Sequence, residues 1–288
     1  MTVNEDDSII LLIGGYSSTR SFANQILVYN LVGQDWHFFN PVKDKGVDFP
    51  TGIYGHSTVY HSPTRSFYIY GGITYGQRAS DIHVSNKLYS LNYKTKTWSV
   101  VPIYSSQAHP QHYNSLMSSA WNTKPPPSVF HSSVTTSDYL VVIGGQQPSS
   151  LFSENEFQDD EVEALVVSLY VYRCNLWINI YNKHAFVDMV EEDIDITIAS
   201  AAGIDHEGFI YMMGGISKGF GVARGNLVRM NIPKDACELY SSTDKSQICK
   251  TTLGCAHCSV YAGNGDNSTF CYSNNMDKVG CIRNENIY

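Results

Sequence analysis

Charge is scarce in this chain: only 16% of its 288 residues are Asp, Glu, Lys or Arg, against roughly 25% in an average soluble protein. Coiled coils, long surface helices and disordered chains all need more, so those classes are excluded. Long apolar runs are also missing. Ile9 to Ile13 and Ala164 to Val167 are typical of the longest, far below the roughly 20 residues of a membrane-spanning helix. No direct membrane insertion is expected in this segment. Met1 to Ser8 has neither the basic start nor the apolar stretch of a secretory signal, so either the chain is intracellular or its beginning lies upstream. No run of Lys or Arg forms a stripe, which leaves nucleic acid without an electrostatic footprint. The enzyme signatures are absent too: there is no Gly-rich phosphate loop, no G-x-S-x-G and no H-E-x-x-H.

What charge there is lies in one place. The net charge is −8. Between Gln146 and Ser200, eleven acids (Glu154, Glu156, Asp159, Asp160, Glu161, Glu163, Asp188, Glu191, Glu192, Asp193 and Asp195) face only Arg173 and Lys183. Carboxylate clusters suit Ca²⁺, but none has the spacing of an EF-hand loop. They read as solvated acidic loops, and no cofactor or metal is expected.

Cysteine divides the chain. Six of the seven (Cys237, Cys249, Cys255, Cys258, Cys271 and Cys281) fall in the last 52 residues, a Ser/Asn/Gly-rich stretch with few large aliphatics. A domain with so small a core is usually held by disulfides, which implies an oxidising compartment. Cys255 and Cys258 also have zinc-hairpin spacing, but the later pair, Cys271 and Cys281, has nine residues between its members and two cysteines would be left over. Disulfides are the preferred reading. Asn267-Ser268-Thr269, the chain's one N-glycosylation sequon, lies in this stretch. Cys174 stands alone before a Trp and reads as a small, half-buried hydrophobe. The expected division is residues 1–236 and 237–288.

The first part is a repeat. An apolar strand ending in two glycines occurs four times: Ile9 to Gly15, Phe67 to Gly72, Tyr139 to Gly145 and Phe209 to Gly215. The first glycines (Gly14, Gly71, Gly144, Gly214) are separated by 57, 73 and 70 residues, and each is followed by Gly15, Gly72, Gly145 or Gly215. Spacings longer than the roughly 50 residues of a compact four-stranded blade imply inserted loops, and Ser105 to Ser128 and Pro148 to Glu163 have that composition. After each pair comes an alternating strand: Gln25 to Asn30, Lys87 to Asn92, Ser168 to Tyr172 and Asn226 to Asn231. Trp36, Trp98 and Trp177 then open a fourth strand. The fourth copy has Cys237 where the others have Trp. A first strand precedes the later pairs at Gly55 to Tyr60, Phe130 to Val134 and Ile198 to Ala202, but blade one is expected to begin directly at Ile9. The glycines permit positive φ and close backbone approach, and one large aromatic per repeat fills the space between blades. His56 and His131 hold equivalent repeat positions, which favours a framework role over metal ligation.

Gly-Gly strands with spaced Tyr and Trp in a four-stranded repeat resemble the kelch motif, which implies an all-β propeller. About four blades are present, so the expected state is an incomplete propeller, the carboxy-terminal part of a longer one. Cys249-x5-Cys255-Ala256-His257-Cys258, followed by Cys271 and Cys281, resembles the PSI domain of plexins, semaphorins and integrins, with His257 where that family has Trp. The resemblance implies bridges Cys237–Cys255, Cys249–Cys271 and Cys258–Cys281. Kelch blades running into a PSI domain are similar to the attractin and multiple-EGF-like-domain group of cell-surface proteins. That resemblance implies a non-enzymatic extracellular scaffold, with a possible role in adhesion or signalling, that binds protein partners through propeller loops. Two other expectations compete with it: an intracellular kelch adaptor of ubiquitin or cytoskeletal machinery, and a galactose-oxidase-like copper enzyme. His109, His112, Tyr113 and Cys174 have the residue types for the latter, but the histidines sit in a Pro/Ser-rich insertion.

Overall fold

The computed structural model describes residues 1–17, 21–23, 25–42, 52–75, 82–102, 119–121, 125, 127–146, 167–172, 175–180, 197–217, 225, 227–231, 255–261 and 267–273. Every extended element among them but one short 3-10 turn, Ser62–Thr64, is a β-strand. The β-branched and aromatic repeats seen in the sequence form these strands, because such side chains pack well on a pleated surface.

The strands assemble into antiparallel sheets that follow chain order. Blade one comprises Thr2–Asn4, Ile9–Ile13, Ile26–Asn30 and Asp35–Phe39. In blade two the strands are Ser57–His61, Ser66–Tyr70, Leu88–Asn92 and Trp98–Val100. Ser132–Thr135, Tyr139–Ile143, Val167–Val171 and Leu176–Ile180 make blade three, and Ala201–Ile204, Phe209–Met213 and Leu227–Asn231 make blade four. Blade one therefore does not begin at Ile9. Thr2–Asn4 pairs antiparallel with the glycine strand, with Thr2 opposite Leu11 and Asn4 opposite Ile9. A three-residue strand with one apolar member has no readable alternation. The Ser105 to Ser128 insertion also holds a strand: Ser119–Trp121 pairs with Leu176–Ile180 as a fifth strand on the outer edge of blade three. In blade four the first strand is Ala201–Ile204, while Thr197–Ile198 pairs separately with Ile216–Ser217. The position equivalent to Trp in that blade, Cys237, lies outside the described residues.

Blades pack face to face. Ile9, Leu11, Ile13, Ile26 and Val28 of blade one meet Phe67, Ile69, Leu91 and Trp98 of blade two in a single buried cluster. A second cluster joins Tyr68, Tyr70 and Leu88 to Leu140, Tyr170 and Trp177 of blade three. All five residues of Ser66–Tyr70 and of Tyr139–Ile143 are buried, whereas burial alternates along Ile9–Ile13. Two-sided burial marks a sheet covered on both faces, and alternation marks one covered on a single face. The first strands of successive blades are neighbours, so they line the axis.

One end of the blades carries short turns closed by their own side chains. Asn4 Oδ1 accepts from Asp7 N at 3.1 Å, Thr136 Oγ1 from Tyr139 N at 2.9 Å, and Asp205 Oδ1 from Phe209 N at 2.9 Å. Each of these residues follows or ends the first strand of its blade. Between strands three and four, Asn30 Oδ1 accepts from Val32 N and Gly33 N, both at 2.9 Å, and Asn92 Oδ1 accepts from Thr95 N at 3.1 Å. Such Asx turns offer the backbone a partner where the ladder stops. Asn30→Ala is expected to cost about 1 kcal/mol, read as a lower urea midpoint at unchanged m.

Candidate functional site

Antiparallel order sends every strand-two exit and every link to the next blade to the opposite end, the glycine-pair end. The segments 147–166 and 181–196, with both acidic clusters, and 103–118 are all bracketed by strands that end or begin there. All eight glycines of the pairs have positive φ, from 63° at Gly14 to 112° at Gly15. Gly15 N–H donates to the Ile53 carbonyl at 2.8 Å and Gly72 N–H to the Ser128 carbonyl at 2.9 Å, so each bond ties one blade to the next. A Cβ on Gly14 would lie 2.0 Å from the Ile53 oxygen and 3.1 Å from His56 Cε1. On Gly71 it would lie 2.5 Å from the Ser128 oxygen and 2.6 Å from His131 Cε1. The first glycine thus makes room for the backbone and the histidine of the following blade.

His56 and His131 sit in this axial wall, each after a residue of positive φ, Gly55 at 66° and Phe130 at 58°. His131 Nε2 lies 2.8 Å from Ser57 Oγ of blade two. Its Nδ1 and that of His56 have no hydrogen-bond partner among the described residues. Burial, aided by the neighbouring His56, lowers the His131 pKa to about 3, and burial lowers that of His56 to about 4. Ser57 beside His131 has the look of a nucleophile and its base, but an imidazole so weakly basic does not take a hydroxyl proton near neutral pH. Ser132 Oγ of blade three repeats the link, donating to the Ser200 carbonyl and lying 3.0 Å from Ser200 Oγ of blade four. Removing the hydroxyl in Ser57→Ala is expected to lower stability by about 1–2 kcal/mol, since it strips a buried ring of its bonded neighbour. Thermal unfolding of the variant at pH 7 checks this.

A third histidine, His61, bridges blades two and three at the turn end. Its Nε2 donates to the Ser137 carbonyl at 3.0 Å, and its ring stacks on Tyr172 with centroids 3.7 Å apart. Burial lowers its pKa as well.

The three tryptophans of the repeat are not alike. Trp98 is 5% exposed and Trp177 fully buried, each between two blades, but Trp36 is 52% exposed. The Trp36 ring lies 5.0 Å from that of Tyr29 in its own blade. The expectation that each repeat aromatic fills an inter-blade space thus does not describe Trp36, because no described residue covers that face.

Above the axial wall an aromatic run crosses three blades: the Tyr16 ring lies 5.6 Å from Tyr54, and Tyr54 lies 6.1 Å from Phe130. Tyr16 is 60% exposed. This run did not emerge from the sequence, although Tyr54 and Phe130 lie within two residues of the paired histidines, and aligning the repeats on His56 and His131 brings them together.

In the last part of the chain, Cys255–Tyr261 and Asn267–Ser273 form an antiparallel hairpin, with His257 opposite Cys271 and Cys258 opposite Phe270. Asn267 opens the second strand. Cys237, Cys249 and Cys281 lie outside the described residues, as do His109, His112, Tyr113 and Cys174 of the copper alternative. Among the described residues no group of three or more His, Cys, Asp or Glu is placed to hold a metal ion, and no helix is long and apolar enough to cross a membrane.

A family model described as the attractin/LZTR1 beta-propeller matches residues 1–220. Among curated proteins, multiple epidermal growth factor-like domains protein 8 of Mus musculus is 31% identical over 258 residues, 89% of this chain and 8% of its own length. The Rattus norvegicus protein of that name has the same identity and coverage, and the Homo sapiens protein is 27% identical over 299 aligned residues, 10% of its own length. This chain therefore spans about a tenth or less of the relatives it matches. With its glycine-paired blades matched by that model, which covers about three quarters of the chain, the chain belongs to the attractin/LZTR1 β-propeller family.

Proposed function

We propose that this chain is a non-enzymatic interaction scaffold of an extracellular, cell-surface protein, which engages a protein partner through the glycine-pair end of its blades. The observation that carries this reading is the asymmetry of the two ends. Short, self-capped turns close one, while the strands that flank the long inserted segments open at the other, where the Tyr16–Tyr54–Phe130 run also lies. Rigid blades beneath variable loops suit recognition, and aromatic side chains are enriched where proteins bind one another. The weak basicity of His131 supports a structural role for the Ser57–His131 pair over a catalytic one. Residues 237–288 act as a PSI-like, disulfide-held spacer bearing a glycan on Asn267. The spacing of Cys271 and Cys281, with nine residues between them, favours this over a second zinc hairpin.

Two measurements test the reading. Peptide mass spectrometry of protein from a secreting eukaryotic host is expected to find Cys237, Cys249, Cys255, Cys258, Cys271 and Cys281 in three bridges, with glycan on Asn267. Reduced thiols with stoichiometric zinc would return the chain to the cytosol as a kelch adaptor. For the contact face, a Tyr16→Ala/Phe130→Ala variant is expected to lose at least about tenfold in binding to partner-bearing cells, while Asn92→Ala at the opposite end leaves binding unchanged. Equal effects at both ends would refute the assignment of the face.

A further inference from the structure

One residue of the axial wall holds a conformation that its own side chain opposes. Phe130 has a φ of 58°, in the left-handed region that a bulky residue seldom enters. Gly55 of blade two and Ala199 of blade four hold the equivalent place, just before His56 and Ser200, with φ of 66° and 57°. The backbone requires this. Phe130 N–H donates to the Gly55 carbonyl at 2.8 Å and Ala199 N–H to the Phe130 carbonyl at 2.7 Å, so one chain of peptide hydrogen bonds crosses the seams between blades two, three and four. Main-chain atoms alone make those bonds, and glycine enters this region without steric cost. The framework therefore needs no side chain here: Gly55 has none and Ala199 only a methyl group.

Phe130 returns only part of that cost as packing. Its ring lies against the small cluster of Ile73, Val84 and Val129 and over Gly55, where a Cβ would meet Phe130 Cε1 at 3.0 Å, but it stays partly exposed. Toward the glycine-pair end it continues the aromatic run, 6.1 Å from Tyr54. A ring kept against backbone strain and left partly in water points to a contact outside the fold. We infer that Phe130 is the apolar anchor of the glycine-pair face, the residue that sets which partner binds, and that the partner places an uncharged aliphatic or aromatic side chain against its ring. This rests on that face being the contact surface. The two hydrogen bonds pin the Phe130 backbone from both sides, so little freedom is left to lose on binding, which is what gives a rigid aromatic its large share of interface energy.

The test uses the full-length natural gene product, purified, labelled and titrated onto an adherent cell line that it stains. Phe130→Gly removes the ring and the strain together. The midpoint of the propeller's thermal transition is expected to stay within about 3 °C of wild type, while cell binding falls at least about tenfold. A larger fall, toward the roughly 10 °C usual for truncating a buried phenylalanine, would show a ring that serves packing and overturn the inference. Unchanged binding would overturn it as well. Phe130→Tyr keeps the ring and is expected to bind as wild type does; loss there counts against an anchoring ring. Ala199→Gly relieves the equivalent strain one blade on without removing a ring, and is expected to leave binding unaltered. Weakened binding in Ala199→Gly would assign the effect to the backbone and not to Phe130. Tyr16→Ala separates the anchor from the face: if it weakens binding and Phe130→Gly does not, only the anchor is wrong, and if neither does, the face itself is wrong.

Discussion

Gly14→Ala is expected to destabilise the chain by about 4 kcal/mol or more, while Gly15→Ala one residue later costs only about 1–2 kcal/mol. Both residues have positive φ, so both substitutions meet the steric cost of a Cβ in the left-handed region. The difference is what surrounds them. At Gly14 the new Cβ would sit 2.0 Å from the Ile53 carbonyl oxygen, whereas at Gly15 nothing lies within 4 Å. That oxygen is main chain and already accepts the Gly15 N–H at 2.8 Å, so relief requires blades one and two to separate. Urea unfolding of the two variants at pH 7 decides the matter. Equal costs would mean that φ alone, and not inter-blade contact, explains the pair.

The second large effect is expected from acid. His131 and His56 are neutral in the fold, with pKa values lowered to about 3 and about 4 by burial. In the unfolded chain both take up protons below about pH 6.5. The unfolded state therefore binds more protons between those values, and stability falls as pH falls through that window. Taking pH 7 to pH 5, a fully buried imidazole of this kind forfeits about 2 kcal/mol. His56 keeps some surface along the axis, so its share is smaller and the pair together loses about 3 kcal/mol. His61, lowered by burial too, adds in the same direction. For a chain of this size the thermal midpoint at pH 5 is expected to drop by roughly 10 °C. In a His56→Gln/His131→Gln variant most of that slope is expected to vanish. An unaltered slope in the variant would place the acid sensitivity elsewhere.

Much of the blade plan was legible because each blade repeats the same local problem. An apolar strand that must turn beside a crowded axis needs glycine twice, and four Gly-Gly strands report four such turns. The alternating third strands and the positions of Trp98 and Trp177 follow from the same period. Thr2–Asn4 was hidden because three residues are too few to display alternation, and its place in the sheet comes from ladder bonds to Ile9–Ile13. Ser119–Trp121 was hidden inside a stretch whose Pro, Ser and Gln content reads as loop. His56 and His131 could be matched as equivalents, but the Ser57–His131 contact joins residues 74 apart in sequence, and no local pattern announces it.

The sequence by itself determined the class of sheet, the four glycine-paired strands, the change of character near residue 236 and the acidic patch, because strand period, backbone permissiveness and charge are properties of short stretches. Tertiary structure decided the rest. It distinguished Gly14 from Gly15 and Trp36 from Trp177, residues identical in type and in repeat position or neighbouring in chain. It also set the ends of the strands that flank the long inserted segments on one side of the blades. Each of these depends on which blade stands opposite, and the packing of one sheet face on another is written in no single stretch of chain.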